Sequence, residues 1–372
     1  MSIETTMTRA WQRQAAWLWL LLPVSWLYGF ITMVRRQAYK IGLFASYRAP
    51  IPLMVIGNIT VGGSGKTPLI IALVNYLQKQ GIKVGVISRG YGGDSNQMPA
   101  LVHADSLPSI VGDEPCLIVN MTGAAMAVCP NRKQAITTLL NAHPDLQLII
   151  ADDGLQHYAL QRDIEWIVVD ASRGFGNQQL LPTGFLREPM SRLTGANVVY
   201  HEKADRTTKD NKQAKAKRLT MYLQADKLQP LWSSAVEIDG LSVAAKTLMP
   251  PIPNGRVHAV SGIGYPQRFF DTLMALGFDV IGHAYPDHYD FSLTELLQYS
   301  ELPIIVTSKD AVKIRALLIN MSSRQPLNDE YQELVHRLWV LPVTAVLSDG
   351  CYVSLQQQLK ALNINLSKST KA

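Results

Sequence analysis

From Leu53 onward the chain alternates short, almost wholly apolar runs with longer segments whose apolar residues recur every three or four positions. The runs 53–57, 84–88, 125–128, 148–152 and 166–170 are too short for helices and rich in Val and Ile, so they predict buried strands. Segments 67–80, near 113–120 and 131–141 carry the helical period. Strands and helices taking turns predict βαβ units and a parallel sheet covered on both faces. A second series begins at Val257, with helix 266–276, strand 278–283, helix 293–299, strand 303–307, helix 309–318 and strand 338–342. Between the two series, 201–217 is rich in Lys, Asp, Thr and Ala and reads as a solvated helix or loop. Two strand-like stretches follow it, near 219–224 and 230–237. The predicted division is an N-terminal helical segment over 1–50, a first α/β domain over 51–217, a two-stranded linker region over 218–256 and a smaller α/β domain over 257–372.

The first strand runs directly into Asn58-Ile59-Thr60-Val61-Gly62-Gly63-Ser64-Gly65-Lys66-Thr67-Pro68. Small residues at Gly62, Gly63, Ser64 and Gly65 let successive backbone N–H groups turn toward a polyphosphate. Lys66 reaches the β- and γ-phosphates, and Thr67 offers its hydroxyl to Mg²⁺. Pro68 then starts a helix whose N-terminus favours the anion. The general G-x-x-x-x-G-K-[ST] pattern would put glycine at position 60, where this chain has Thr60. The fold class is therefore α/β, a P-loop NTPase domain with a parallel sheet, plus a smaller C-terminal α/β domain. ATP with Mg²⁺ is the expected cofactor.

One apolar segment does not fit that alternation. From Ala15 to Val34 there is no charged residue, and Trp17 to Ile31 holds three of the seven tryptophans. As a helix it would be about 30 Å long, roughly one hydrocarbon thickness. Arg9 and Arg13 precede it, and Arg35, Arg36, Lys40 and Arg48 follow, a distribution that keeps the remainder cytosolic. No small-x-small cleavage site follows the apolar run, which argues against a signal peptide. Pro23 and Gly29 weaken a straight spanning helix and the aromatic density suits an interface, so spanning and interfacial helices both stand, with a buried soluble helix as a third reading. The expectation is an N-terminal membrane-associated helix.

Composition narrows the partners. The 372 residues, 47% hydrophobic and 17% charged, exclude disorder for most of the chain. A formal charge of +6 suggests an acidic partner, but the basic residues are scattered and lack the aromatic interleaving of a nucleic-acid groove. Anionic lipid or phosphate suits them better, and no nucleic acid is expected. Cys116, Cys129 and Cys351 have no paired spacing, which argues against a disulfide framework or zinc site.

Candidate chemistry sits at the ends of the predicted strands. Asp152-Asp153-Gly154-Leu155-Gln156-His157 follows an apolar strand at the Walker-B position, where a carboxylate holds Mg²⁺ directly or through water. Gly112-Asp113-Glu114-Pro115 offers Asp113 as a base for an alcohol attacking ATP, although such an aspartate is also a common helix cap. Tyr285-Pro286-Asp287-His288-Tyr289 supplies a histidine from the second unit, and by itself it also reads as a surface turn. Ser88-Arg89-Gly90-Tyr91-Gly92 and Leu186-Arg187-Glu188-Pro189 place arginines in loops suited to anions, and Arg132 opens a helix in the same half. Thr307-Ser308-Lys309-Asp310 reads as a capped helix start with an anion-binding lysine.

Taken in order, Gly62 to Pro68, Ser88 to Gly92, Gly112 to Pro115, Asp152 to His157, Leu186 to Pro189 and Pro286 to His288 resemble the tetraacyldisaccharide 4'-kinase family, the lipid A kinases of Gram-negative bacteria. The resemblance spans nearly the whole chain, and the N-terminal apolar segment resembles the family's membrane-associating helix. It implies transfer of the ATP γ-phosphoryl group to the 4'-hydroxyl of a tetraacylated glucosamine disaccharide 1-phosphate at the cytoplasmic face of the bacterial inner membrane, with no obligate protein partner. It implies Asp113 as base with His288 as its partner, Lys66 and Thr67 on phosphates and Mg²⁺, and Asp152 and Asp153 near the metal. Glu114, Gln156, Arg132 and Arg187 would support them. The family commonly has Thr-Glu-Lys-Asp at 307–310 and Asp-Arg at 131–132, where this chain has Ser308 and Asn131. The residues alone also allow a membrane-attached P-loop switch ATPase acting on a protein partner, or a soluble small-molecule kinase.

Overall fold

The computed structural model describes residues 3–203, 218–232, 250–299, 301–322 and 329–364. The apolar runs become strands β1 (Leu53–Gly57), β2 (Val84–Ser88), β3 (Ala100–Val102), β4 (Ala125–Val128), β5 (Leu148–Asp152), β6 (Ile164–Asp170), β7 (Asn197–Glu202) and β8 (Leu219–Ala225). A second set comprises β9 (Gln229–Pro230), β10 (Arg256–Ser261), β11 (Asp279–Ala284), β12 (Ile304–Thr307) and β13 (Leu338–Leu341), and β14 (Val343–Leu347) follows. The large sheet has the order β14-β8-β7-β6-β1-β5-β2-β4-β3 and the small one β11-β10-β12-β13-β9. The large sheet is parallel from β8 to β4, with β3 and β14 antiparallel at its two edges.

β1 is buried along its whole length and pairs with β5 on one side and β6 on the other. Its side chains divide by parity. Met54 and Ile56 pack with Leu69, Leu73 and Leu77 of helix Lys66–Lys79 and with Leu355 and Leu359 of helix Asp349–Ala361. Leu53 and Val55 pack on the opposite face with Ala135, Ile136 and Leu139 of helix Arg132–Ala142. Each such fully buried aliphatic side chain contributes about 1.5–3 kcal/mol of transfer free energy, so both faces hold β1 in place. From β1 the chain crosses to β2 beyond β5, and from β5 it crosses back over β1 to β6; where crossings diverge in this way, the crevice at the strands' carboxyl ends is where an α/β sheet holds phosphate. In the small sheet, β10 occupies the same position between β11 and β12.

Strand pairing divides the chain differently from the expected boundaries. β9 joins the small sheet through β13, while β14 leaves it and pairs with β8 of the large one, followed there by helix Asp349–Ala361. The stretch 257–372 is therefore not one unit. The two crossings between sheets run side by side at 226–228 and at Pro342, where the Asp226 N–H donates to the Pro342 carbonyl at 3.0 Å. Pro342 has no N–H to continue β13, which is a physical reason for the chain to change sheets there. The predicted strand 230–237 extends into residues outside the described set, as does most of the lysine-rich stretch 201–217. Strands β3, β7 and β14 were not anticipated.

The N-terminal segment forms a 3-10 turn, Ala16–Leu21, and an α-helix, Leu22–Lys40. Pro23 lies in the first turn, where it costs no hydrogen bond. Gly29 faces Leu180, whose Cδ1 lies 2.8 Å from the place a Cβ would occupy. The helix is inverted relative to a soluble surface helix. Ser25 is 2% exposed, whereas Trp26, Leu27 and Phe30 are 67%, 59% and 60% exposed. An exposed apolar face of this extent marks a surface for lipid or a partner.

Candidate active site

The loop after β1 is shaped by its glycines. Gly62 and Gly65 take φ of 91° and 94°, a left-handed region that side chains disfavour. A Cβ on Gly65 would also lie 2.7 Å from His201 Nδ1. Thr60, in the place of the usual glycine, is accommodated through a bridge to Leu186 and an Asn58 Nδ2 donation to its hydroxyl at 3.3 Å. Lys66 begins the following helix, and its ammonium lies 3.1 Å from Asn58 Oδ1 and 3.4 Å from Asp153 Oδ1. Thr67 donates to Glu114 Oε2 at 3.2 Å.

Asp152 and Asp153 end β5 with different environments. Asp153 receives Arg187 through both terminal nitrogens, at 3.1 and 3.0 Å, and Lys66. Burial would raise its pKa, but these two cations outweigh it and hold the carboxyl well below the usual range. Asp152 is raised to about 7, by burial first and then by the Glu114 charge, against the pull of Lys66. Its Oδ2 accepts from Ser88 at 3.1 Å, while its Oδ1 is buried without a partner. Ser64 Oγ and one Arg132 nitrogen are likewise buried and unpartnered, although the other Arg132 terminal nitrogen donates to the Asp152 carbonyl at 2.6 Å. Orphaned donors beside a P-loop suit a phosphate, and an orphaned acidic oxygen that feels the Glu114 charge suits a divalent cation. Among the described residues no group of three or more His, Cys, Asp or Glu converges to hold a metal, as suits Mg²⁺, which takes few protein ligands beside phosphate and water. Gln156 donates to the Asn58 carbonyl at 3.0 Å and to Glu188 Oε1 at 2.9 Å.

The opposite wall joins residues distant in sequence. Asp113 opens helix Asp113–Thr122 after Gly112, whose φ of 95° and contact with the Tyr91 carbonyl leave no room for a side chain. His288 follows β11 in a left-handed conformation, φ 59°, and its Nδ1 lies 3.0 and 3.2 Å from the two Asp113 oxygens. On the other side, Lys309 Nζ is 3.2 Å from His288 Nε2. An ammonium only donates, so the imidazole that satisfies both contacts carries its proton on Nδ1. Lys309 also reaches Glu114 at 3.1 Å and Asp287 at 3.2 Å. Burial would raise the Asp113 pKa, but the His288 hydrogen bond and the charges of Lys309, His288 and Lys313 bring it down to about 2. Asp113 is 3% exposed, and His288 stands between it and the cleft, which His288 lines.

Thus the structure gathers Gly62 to Thr67, Glu114, Arg132, Asp152, Asp153, Gln156, Arg187 and His288 along one cleft, with Asp113 directly behind His288. Lys309, expected at an anion, instead ties together carboxylates of both units. Two groups were not singled out. Asn58 touches Lys66, Arg187 and Gln156, and its place at the end of β1 was the available signal. Arg268, on helix Pro266–Ala275, binds both oxygens of Asp170 at 2.9 and 2.8 Å and lies 3.2 Å from His201, which in turn is 3.2 Å from the Ser64 carbonyl. A lone arginine on a helix gave no sign of that contact.

The chain is similar to known proteins over nearly its whole length. A family model described as tetraacyldisaccharide-1-P 4'-kinase matches residues 17–360. A protein named tetraacyldisaccharide 4'-kinase from Psychrobacter arcticus is 74% identical, covering 99% of this chain and 98% of that one. Its namesake from Tolumonas auensis is 41% identical over 94% and 96% of the two chains. Among solved structures, LpxK from Aquifex aeolicus, described as an "apo" form in complex with ATP, matches with a TM-score of 0.65 and 24% identity, covering 93% of this chain and 99% of that one.

Proposed function

This chain belongs to the tetraacyldisaccharide-1-P 4'-kinase family, and from that premise we propose how its residues carry the reaction. The activity is ATP-dependent phosphorylation of the 4'-hydroxyl of a tetraacylated glucosamine disaccharide 1-phosphate in lipid A biosynthesis. Gly62 to Thr67 cradle the ATP phosphates, with Lys66 on the β- and γ-phosphates. Thr67 and Asp152 would hold Mg²⁺, with Asp153 beside Asp152 fixing Lys66 and Arg187. Bound Mg²⁺ would neutralise charge on the β- and γ-phosphate oxygens. A loose phosphoryl-transfer transition state needs mainly positioning and charge neutralisation. Lys66, Arg132 and Arg187 supply both, while Glu114 and Gln156 fix the groups around them.

The observation that carries this reading is the Asp113–His288 contact between the two units, beside the P-loop. Asp113 stays ionised at any working pH because His288 and two lysines lower its pKa to about 2. It is the base for the 4'-hydroxyl, with His288 as its partner, and its low basicity fits a proton that leaves late in a loose transition state. The burial of Asp113 behind His288 favours a second reading, in which His288 Nε2 takes the proton after Lys309 withdraws and Asp113 orients the ring. Under the first reading Asp113→Asn costs more than His288→Gln, and under the second the order reverses.

The acceptor's acyl chains hold it in a bilayer at about 0.8 kcal/mol per CH₂, so the enzyme must work at the surface. Ala16–Lys40 is long and apolar enough to cross a membrane, and Arg35, Arg36 and Lys40 at its end suit anionic headgroups on the cytoplasmic face of the inner membrane. Transfer of labelled γ-phosphate from ATP to the tetraacyl disaccharide 1-phosphate in mixed micelles with Mg²⁺ tests the whole assignment. Transfer by wild type and its loss in Asp113→Ala is the expected result. ATP hydrolysis without lipid phosphorylation would instead indicate a membrane-attached switch ATPase.

A further inference from the structure

One layer of chain, residues 178–188, separates the N-terminal helix from the phosphate loop. On the helix side, the Ser25 hydroxyl lies 2.8 Å from Thr183 Oγ1 and 3.0 Å from the Leu180 carbonyl, and it accepts the Thr183 N–H at 3.0 Å. Tyr28 donates its hydroxyl to the Arg187 carbonyl at 3.0 Å, and Trp11, on the preceding helix Ile3–Arg13, donates to the Pro182 carbonyl at 2.9 Å. On the other side, Val61 donates to the Phe185 carbonyl at 2.8 Å and Arg187 N–H to the Ile59 carbonyl at 2.7 Å, while Leu186 bridges Thr60. The same loop thus carries the backbone of Arg187, whose guanidinium holds Asp153 and Asn58.

A helix serving only as an anchor needs apolar contact with the fold. This one turns Ser25, Tyr28 and Gly29 inward, and its polar atoms meet backbone groups of the loop that lines the P-loop. Ser25 and Thr183 are 2% and 0% exposed, so their hydrogen bonds do not exchange freely with water. We propose that the Ser25–Tyr28 face of the N-terminal helix positions the nucleotide site, so that seating the helix on loop 178–188 sets Arg187 and the phosphate loop for Mg-ATP. Ser25 and Tyr28 are positioning residues that act through that loop. The outward face, with Trp26 and Phe30, serves the membrane. The inference rests on the nucleotide reading of the P-loop and not on the identity of the acceptor.

The test uses two double variants in the full chain, Ser25→Val with Tyr28→Phe and Trp26→Ala with Phe30→Ala. For each, Kd for Mg-ATP without acceptor, KM for ATP and kcat in mixed micelles, and partition onto anionic phospholipid vesicles are measured. The inward-face variant should weaken Kd and KM for ATP by about fivefold, the effect of losing buried hydrogen bonds, with vesicle partition unchanged. The outward-face variant should lose vesicle partition with ATP affinity unchanged. If Ser25→Val fails to fold, Tyr28→Phe alone, which removes one oxygen and keeps the ring, carries the measurement. ATP affinity and kcat both at wild-type level in a folded inward-face variant would overturn the inference, whatever happens to its melting temperature. A wild type that binds no ATP would overturn the nucleotide reading itself, a distinguishable result.

Discussion

The two walls of the cleft are built in opposite ways. The nucleotide wall is local, with β1, its glycine loop and Lys66 and Thr67 contiguous, and with Asp153 brought to Lys66 by the direct pairing of β1 with β5. The facing wall is assembled from a distance. Asp113 and His288 are 175 positions apart, on different sheets' connections, and meet only when both units are folded and apposed. A local site depends on backbone shape, whereas a distributed one depends on the relation between units, held here by Lys309, by Arg268 on Asp170 and by the paired crossings at 226–228 and Pro342.

The largest separation of the two walls comes from Lys66→Ala. It removes the ammonium that meets the transferring phosphoryl group and should lower kcat by about 10³-fold, while the fold stays intact because the loop shape belongs to the glycines. Single-turnover transfer with a thermal unfolding control checks both halves of that statement. Asp113→Ala and His288→Ala should each lower kcat by about 10²-fold or more, the usual range for acid–base groups. Because the two act as one unit, the double variant should be scarcely worse than the poorer single one. Losses that simply multiply, or single variants within about twofold of wild type, would show that the contact between the two units is structural.

That contrast also decides what could be read from the sequence. The parallel sheet, the phosphate loop and the acidic pair were legible because each is written in consecutive residues whose period or small size has a direct geometric meaning. Asp113 and His288 could be named from residue chemistry, but their pairing came only from the family resemblance, since no local pattern encodes a contact at that separation. Strand β14 was not anticipated because its apolar run follows β13 after a single proline, and nothing in its composition says that the chain there changes sheets. The inversion of helix Leu22–Lys40 was half legible. Its apolar content pointed to a membrane, yet only the fold shows that Ser25, Tyr28 and Gly29 face the protein.

Asp152 sharpens the comparison through pH. Its folded pKa, about 7 through burial first and then the Glu114 charge, exceeds its unfolded value, so the folded state binds this proton more tightly. The stability so contributed is complete below the unfolded value and is lost as pH rises through 7. Asp152→Asn cannot ionise, so without metal it should melt a few degrees above wild type at pH 8, with the gain fading toward pH 4. Added Mg²⁺ should narrow the gap at pH 8 by stabilising only the wild type, while the variant loses phosphoryl transfer. A melting difference independent of pH would remove Asp152 as the acid placed for the cation.

Thr60→Gly is expected to have the smallest effect, and it probes whether the nucleotide wall is as local as its motif suggests. The substitution restores the general phosphate-loop pattern, so sequence alone expects no loss. Here Thr60 is 8% exposed, bridges Leu186 and accepts from Asn58, so it joins the loop to the layer carrying Arg187. Glycine keeps the backbone bridge but loses the hydroxyl partner and gains freedom in the unfolded chain, a cost of about 1 kcal/mol. A melting temperature lowered by a few degrees with kcat within about twofold of wild type is expected. A larger fall in kcat would mean that Asn58, freed from Thr60, no longer holds Lys66 and Arg187 in place, and that even the contiguous wall depends on the layer beneath it.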